Sequence, residues 1–253
     1  MCRHLGLTAS RPRPITVPLH NTEYTDNFST DPSTRWTGYL GGTLTWDSGN
    51  SEIDGNMDNT DAALIYTAND PGSIEQESQL SFFLDGRATK DYAGVALRWD
   101  TAADDGYVFM ASNQDDTMYW FRYLAGTRST ISSYAKTLAV DQWHTIRIAA
   151  SGAVGSSVSL AGWDTLPGSK PGSDPGWYGV DGTPDGTATD SSVDRLDAST
   201  HLKCGFGWVG GGVDYDPQVC YFKERAISDR AGAGTNPKGP LGNPFFGPFG
   251  GPI

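Results

Sequence analysis

The stretch Trp143-His144-Thr145-Ile146-Arg147-Ile148-Ala149 sets Trp, Thr, Arg and Ala in alternation with His, Ile and Ile. A period of two puts the two sets on opposite sides of an extended chain, so one side is largely apolar and belongs to a core. Runs of the same kind lie on both sides of it. Toward the N-terminus they are Thr43–Trp46, Ala62–Thr67 (bounded by Asp61 and the Asp70-Pro71-Gly72 turn), Gln79–Leu84, Tyr92–Trp99 and Tyr107–Met110. Thr117–Tyr123 then turns at Ala125-Gly126 into Ser129–Tyr134 as a hairpin. Toward the C-terminus follow Ser157–Trp163, Lys203–Val209 and Gln218–Ile227. All are rich in β-branched and aromatic residues, and no stretch has the period of an amphipathic helix. About a dozen short strands is the count of a two-sheet antiparallel sandwich. The expected fold is all-β, a jelly roll spanning residues 23–228.

Composition agrees, with 37% hydrophobic and 11% aromatic residues, 32 Gly and 15 Pro in 253 residues. A length of 253 residues fits one all-β unit. The formal net charge of −12 argues against a phosphate-backbone ligand, because nucleic-acid binding needs a basic surface that releases counterions. Acidity favours solubility and offers oxygen ligands to hard cations. Cys2, Cys204 and Cys220 have neither disulfide-scaffold nor zinc spacing. Cys204 and Cys220 flank Gly210-Gly211-Gly212, so they oppose each other across a hairpin as a disulfide or lie buried and reduced. No apolar run has signal-peptide or membrane-spanning length, so the expected location is the cytosol of a producing cell, or a virion assembled there.

Two arms flank the strands. Residues 1–22 contain Arg11-Pro12-Arg13-Pro14, whose prolines favour an extended arm. Residues 229–253 have linker composition, punctuated by Leu241, Phe245, Phe246, Phe249 and Ile253. Neither arm can bury a core of its own, so each needs a surface to lie on. A third irregular segment, the loop 164–197, carries several Pro-Gly and Asp-Gly turns. A loop of that length is functional or docked.

The order of motifs resembles the concanavalin A-like, or laminin G-like, jelly rolls. Asp26-Asn27-Phe28 with Trp36 is similar to the family's opening motif, and Gly42–Trp46 with Ser51–Asn56 to its early hairpin. Ala93–Arg98 with Gly106–Phe109, Trp143–Ile148, and Cys204–Gly207 with Val219–Phe222 resemble its later strands. The resemblance covers about residues 24–227 and implies a fold in which a sheet face binds sugar or carries no chemistry.

Catalytic signals are incomplete. Glu52-Ile53-Asp54 resembles the carboxylate run of jelly-roll β-glucanases, but the third acid is displaced to Asp58. Tyr221-Phe222-Lys223 resembles a motif of jelly-roll alginate lyases, without that family's other motifs. No nucleophile elbow is present, and His144 reads as a packed strand residue. No enzyme is expected. Asp54, Asn56 and Asp58 have the first three spacings of a calcium loop without its glycine or closing glutamate, so calcium is the one cofactor to consider. Trp99, Trp120, Trp177 and Tyr178 are the expected sugar-stacking residues.

These features give two expectations. The first is a structural virion component, a bacteriophage head-decoration or tail-appendage protein. Its Arg11, Arg13, Leu241, Phe245, Phe246 and Phe249 would dock on other copies of the chain or on capsid and tail proteins. The alternative is a carbohydrate-binding adhesion module for a surface glycan, with a glycan hydrolase or lyase ranked last; neither nucleic acid nor membrane is expected as a partner.

Overall fold

The computed structural model describes residues 23–56, 61–84, 92–112, 115–165, 168–179, 182–209 and 218–229. Among them run β1 (Tyr24–Asp26), β2 (Trp36–Tyr39), β3 (Thr43–Asp47), β4 (Glu52–Asn56), β5 (Asp61–Tyr66), β6 (Gln76–Leu84), β7 (Tyr92–Asp100) and β8 (Asp105–Ser112). They continue with β9 (Thr117–Leu124), β10 (Thr127–Ala135), β11 (Gln142–Ser151), β12 (Val158–Thr165), β13 (Gly186–Asp190), β14 (Lys203–Val209) and β15 (Gln218–Ala226). A single 3-10 turn, Ile227–Asp229, follows β15.

The strands form two antiparallel sheets. One is eight-stranded, in the order β13-β12-β11-β6-β15-β4-β3, with β1 paired to β15; the other is seven-stranded, in the order β10-β9-β8-β7-β14-β5-β2. Alternation along each strand sends one set of side chains between the sheets. From the eight-stranded sheet these are Ile53, Leu80, Phe82, Ile146, Ile148, Leu160 and Phe222; from the other they are Leu64, Val95, Phe109, Trp120, Phe206 and Trp208. Aromatic rings pack the core, with Trp36 edge-on to Phe222 of the opposite sheet at 4.7 Å and Phe109 against Trp120 of the neighbouring strand at 4.7 Å between centroids. The opening motif closes one end: Asp26 accepts from the Phe28 amide, Trp36 Nε1 and Arg35 Nε, each at 2.9 Å.

Several expectations change. The loop expected over 164–197 contains a strand, β13, paired to β12 at the sheet edge. Its Thr187-Ala188-Thr189 has β-branched alternation too short to stand out among the turns. Cys204 lies on β14 in one sheet and Cys220 on β15 in the other, so they are not hairpin neighbours; both are free and buried. The Cys204 thiol instead donates to Gln76 Oε1 at 3.0 Å. β4 runs through Asn56, paired with Thr43 of β3.

The seven-stranded sheet also has an apolar outer face. Ala63, Ile65, Ala96, Trp99, Val108, Met110, Phe121, Tyr123 and Val209 form a cluster separate from the inter-sheet core, edged by Tyr39, Leu40, Tyr92 and Tyr119. A bulge in β7 between Leu97 and Asp100, with Arg98 at φ 51°, shifts the alternation by one residue. Arg98 therefore points into the end of the sandwich, donating to the carbonyls of Ile74, Gly152 and Leu196. Trp99 goes to the outer face.

Candidate functional site

The outer face of the eight-stranded sheet is polar, and its register builds three rows. Glu77 lies between Ala149 and Arg225, Gln79 between Arg147 and Lys223, and Ser81 between Thr145 and Tyr221. Glu77, Arg147 and Arg225 make a buried cluster. Glu77 Oε2 accepts from Arg147 Nε at 3.1 Å and Nη2 at 2.9 Å, and its Oε1 accepts from Arg225 Nε at 2.5 Å. The Arg147 guanidinium lies 4.1 Å from the ring centre of Trp163, and that of Arg225 lies 4.1 Å from Trp177. Two cations sharing one carboxylate are tolerated here because aromatic faces cover them.

The long loop docks across this face. Gln79 reads its backbone in both directions, donating from Nε2 to Gly176 O at 2.6 Å and accepting the Tyr178 amide at 2.7 Å. Arg147 Nη1 donates to Tyr178 O at 2.8 Å, and Trp163 Nε1 to Gly182 O at 2.9 Å. Lys170 pairs with Glu52 at 2.5 Å, and Asp174 pairs with Lys223. The loop can lie this close because Gly176 and Gly179 adopt positive φ (69° and 63°), and a Cβ on Gly179 would meet Trp163 Cδ1 at 2.8 Å.

Docking the loop leaves a cleft of about 480 Å³ between Gly172–Asp174, the outward residues Tyr221 and Lys223 of β15, and Thr25–Asn27 with Thr30 and Arg35. Trp177 stands beside it, half-buried, its ring centre 5.5 Å from Lys223 Nζ and its Nε1 donating to Glu23 Oε2 at 2.6 Å. Tyr178 is 40% exposed on the same loop. The cleft's polar groups come from three stretches of the chain, residues 25–35, 172–174 and 221–223, and converge only in the fold. Exposed Thr25, Asn27 and Asp174 offer oxygen and amide groups, Tyr221 a phenol, and Trp177 an apolar ring. That mixture suits a polyhydroxylated ring, with hydrogen bonds in its plane and C–H groups against an aromatic face. Both lining carboxylates already hold a cation, Asp26 with Arg35 at 2.9 Å and Asp174 with Lys223.

Other expected site residues fall elsewhere. Trp120 is fully buried in the inter-sheet core and Trp99 fully buried on the opposite sheet, so neither offers a ring face to a sugar in this cleft. The parity shift at the β7 bulge explains Trp99, and inward alternation explains Trp120. Asp54 faces outward on β4, paired in register with Thr45 and Gln218. Of the expected calcium set, Asp58 lies outside the described residues. Among the described residues no group of three or more His, Cys, Asp or Glu side chains is gathered at metal-binding distance. Glu52 is buried and bound to Lys170, as a structural side chain would be. Arg11, Arg13, Leu241, Phe245, Phe246 and Phe249 lie outside the described residues.

The fold is that of the galectin-like and concanavalin A-like jelly rolls, and solved structures share it at low identity. The VIP36 exoplasmic/lumenal domain in its Ca2+/Man3GlcNAc-bound form matches with TM-score 0.52 and 10% identity, over 82% of this chain and 89% of that one. A protein of unknown function with a galectin-like fold from Bacillus subtilis matches with TM-score 0.51 and 9% identity, over 80% and 94%. A xylan β-1,4-xylosidase from Bacillus halodurans C-125 matches with TM-score 0.51 and 11% identity, over 88% of this chain and 41% of that one. No family profile and no curated protein matches the sequence.

Proposed function

We propose that the protein is a non-catalytic carbohydrate-binding module that holds a glycan in the cleft between the docked loop and β15. One observation carries this reading: the loop is fastened across the sheet so that Trp177 stands beside a cleft of about 480 Å³ edged by Asn27, Asp174 and Tyr221. Trp177 provides the platform, and Tyr221, Asn27 and Asp174 orient hydroxyls. The carboxylates are engaged with cations and no histidine lines the cleft, which favours binding over acid–base chemistry. The sugar-bound form of VIP36 has the same fold and supports the reading only to that extent. The virion role rests on the two arms, and neither the cleft nor the comparisons favour it.

A glycan array tests the proposal. Wild type should retain at least one glycan class, with binding lost on Trp177→Ala and weakened about tenfold on Tyr221→Phe. Equal binding by the Trp177→Ala protein, or no retention of any glycan by wild type, would overturn it.

A further inference from the structure

We propose that the cleft selects neutral glycans over acidic ones and that Asp174 sets this preference; the inference rests on the glycan-binding reading above. Four charged side chains line the cleft, Asp26 and Asp174 against Arg35 and Lys223, two of each sign. Neither cation is free to take a sugar carboxylate or sulfate. A guanidinium has five N–H donors, and Arg35 uses all of them inside the protein. Its Nε and Nη2 donate to the two Asp26 oxygens at 2.9 and 3.2 Å, Nη2 also to Thr30 O at 3.0 Å, and Nη1 to Thr30 Oγ1 at 3.2 Å and Asp31 O at 3.0 Å. Lys223 has 3% of its side chain exposed, and its ammonium donates to Asp174 Oδ1 beside the Trp177 ring. Arg225, the cation stacked on Trp177, is held by Glu77 at 2.5 Å and by Glu23 at 3.6 Å.

What the cleft exposes is a carboxylate. The Asp174 side chain is 50% exposed, against 26% for Arg35 and 4% for Asp26. Its Oδ1 accepts from Lys223 and from the Gly176 amide at 2.9 Å, while Oδ2 accepts nothing among the described residues. A sugar hydroxyl donates to such an oxygen. A uronate, a sialic acid or a sulfate has no proton to give at its anionic oxygens and meets like charge. The chain's net charge of −12 adds to that repulsion at longer range. Nor does Asp174 step aside for an anion, because moving it breaks a charge-assisted bond to a buried ammonium. The bond from the Gly176 amide also closes the Asp174-Pro175-Gly176 turn, which delivers Trp177 to the Arg225 guanidinium at 4.1 Å. One turn thus fixes both the aromatic platform and the charge beside it.

The test measures the full chain, wild type and Asp174→Asn, on immobilised glycan pairs that differ by an acid. The pairs are cello-oligosaccharides and their C6-oxidised forms, xylo-oligosaccharides with and without glucuronate branches, and N-acetyllactosamine with and without sialic acid. Any other neutral glycan that wild type retains on the array is paired with its carboxylated form. Asparagine keeps an oxygen for the Gly176 amide and removes only the charge. Wild type should hold the neutral member of a pair at least about tenfold more tightly than the acidic one. Its affinity for the neutral glycan should change by less than about twofold between roughly 20 and roughly 500 mM NaCl. In Asp174→Asn the Lys223 ammonium loses its anion, and the neutral-to-acidic ratio should fall at least about fivefold. An acidic glycan bound by wild type as tightly as its neutral partner, a salt-sensitive neutral complex, or an unchanged ratio in Asp174→Asn would overturn the charge selection and leave the glycan-binding reading standing. A wild type that retains no glycan at all would overturn that reading and this inference with it.

Discussion

Removing the charge of Glu77 should release the loop that builds the cleft. Glu77→Gln keeps the shape of the side chain but leaves Arg147 and Arg225 without a shared anion at a site where Glu77 and Arg147 have no exposed side-chain surface. Breaking a buried ion cluster by removing one member costs about 3–5 kcal/mol. An amide oxygen in the Oε2 position can still accept the two Arg147 hydrogen bonds, so the lower end, about 3 kcal/mol, is expected. At about 2–4 °C per kcal/mol for a domain of this size, Tm should fall by roughly 6–12 °C. The loop should feel the change most, because the same two arginines stack on Trp163 and Trp177 and hold Tyr178 O. Urea unfolding gives the stability, and limited proteolysis between residues 168 and 182 reports the loop. A Glu77→Gln protein within 1 kcal/mol of wild type, with unchanged protease resistance in that segment, would refute this account of how the loop is held.

Glu224 lies fully buried beside the Cys204 thiol, and burial raises its pKa well above the ordinary carboxylate range. The folded protein therefore keeps a proton that the unfolded chain releases above about pH 4.3, so stability falls as pH rises through the raised value. Glu224→Gln should match wild type near pH 4 and exceed it progressively toward pH 7, by at most about 1.4 kcal/mol per pH unit; parallel denaturation curves at both pH values would contradict this. Gly94→Ala should not yield soluble folded protein, because its Cβ would sit 1.9 Å from the Phe109 carbonyl oxygen on the neighbouring strand, a backbone atom that cannot step aside; a folded variant with wild-type Tm would argue against the β7–β8 register. The described cysteines should resist a thiol reagent until the chain unfolds, since both are buried and burial pushes Cys220 up to about 12. Rapid labelling of either in the native protein would show that the sheets do not close over them.

Strands long enough to alternate several times were legible in the sequence. β5 to β9, β11, β14 and β15 carry enough β-branched and aromatic residues to declare their type, and the alternation in β11 declares its inward side as well. Three short strands escaped: β1, β2 and β13 have three to five residues each and draw their pairing from neighbours distant in the chain. Bulges were also invisible. The one in β7 reverses the side on which Trp99 emerges, which no period-two reading can anticipate. The cleft was the least legible feature, because Asn27, Arg35, Asp174 and Tyr221 share no spacing and meet only through the crossing of the loop over β15. Trp177 and Tyr178 stood out for a simple reason: large aromatic residues in a Pro-Gly loop have no core of their own to fill.

A structure of the protein with a bound oligosaccharide, chosen from the glycans it retains, tests the central claim most directly. The account predicts a sugar ring against Trp177 with hydroxyls within hydrogen-bonding reach of Tyr221, Asn27 or Asp174, and the loop fastened as it is here. An oligosaccharide seated on any other surface, with this cleft open to solvent alone, would contradict it.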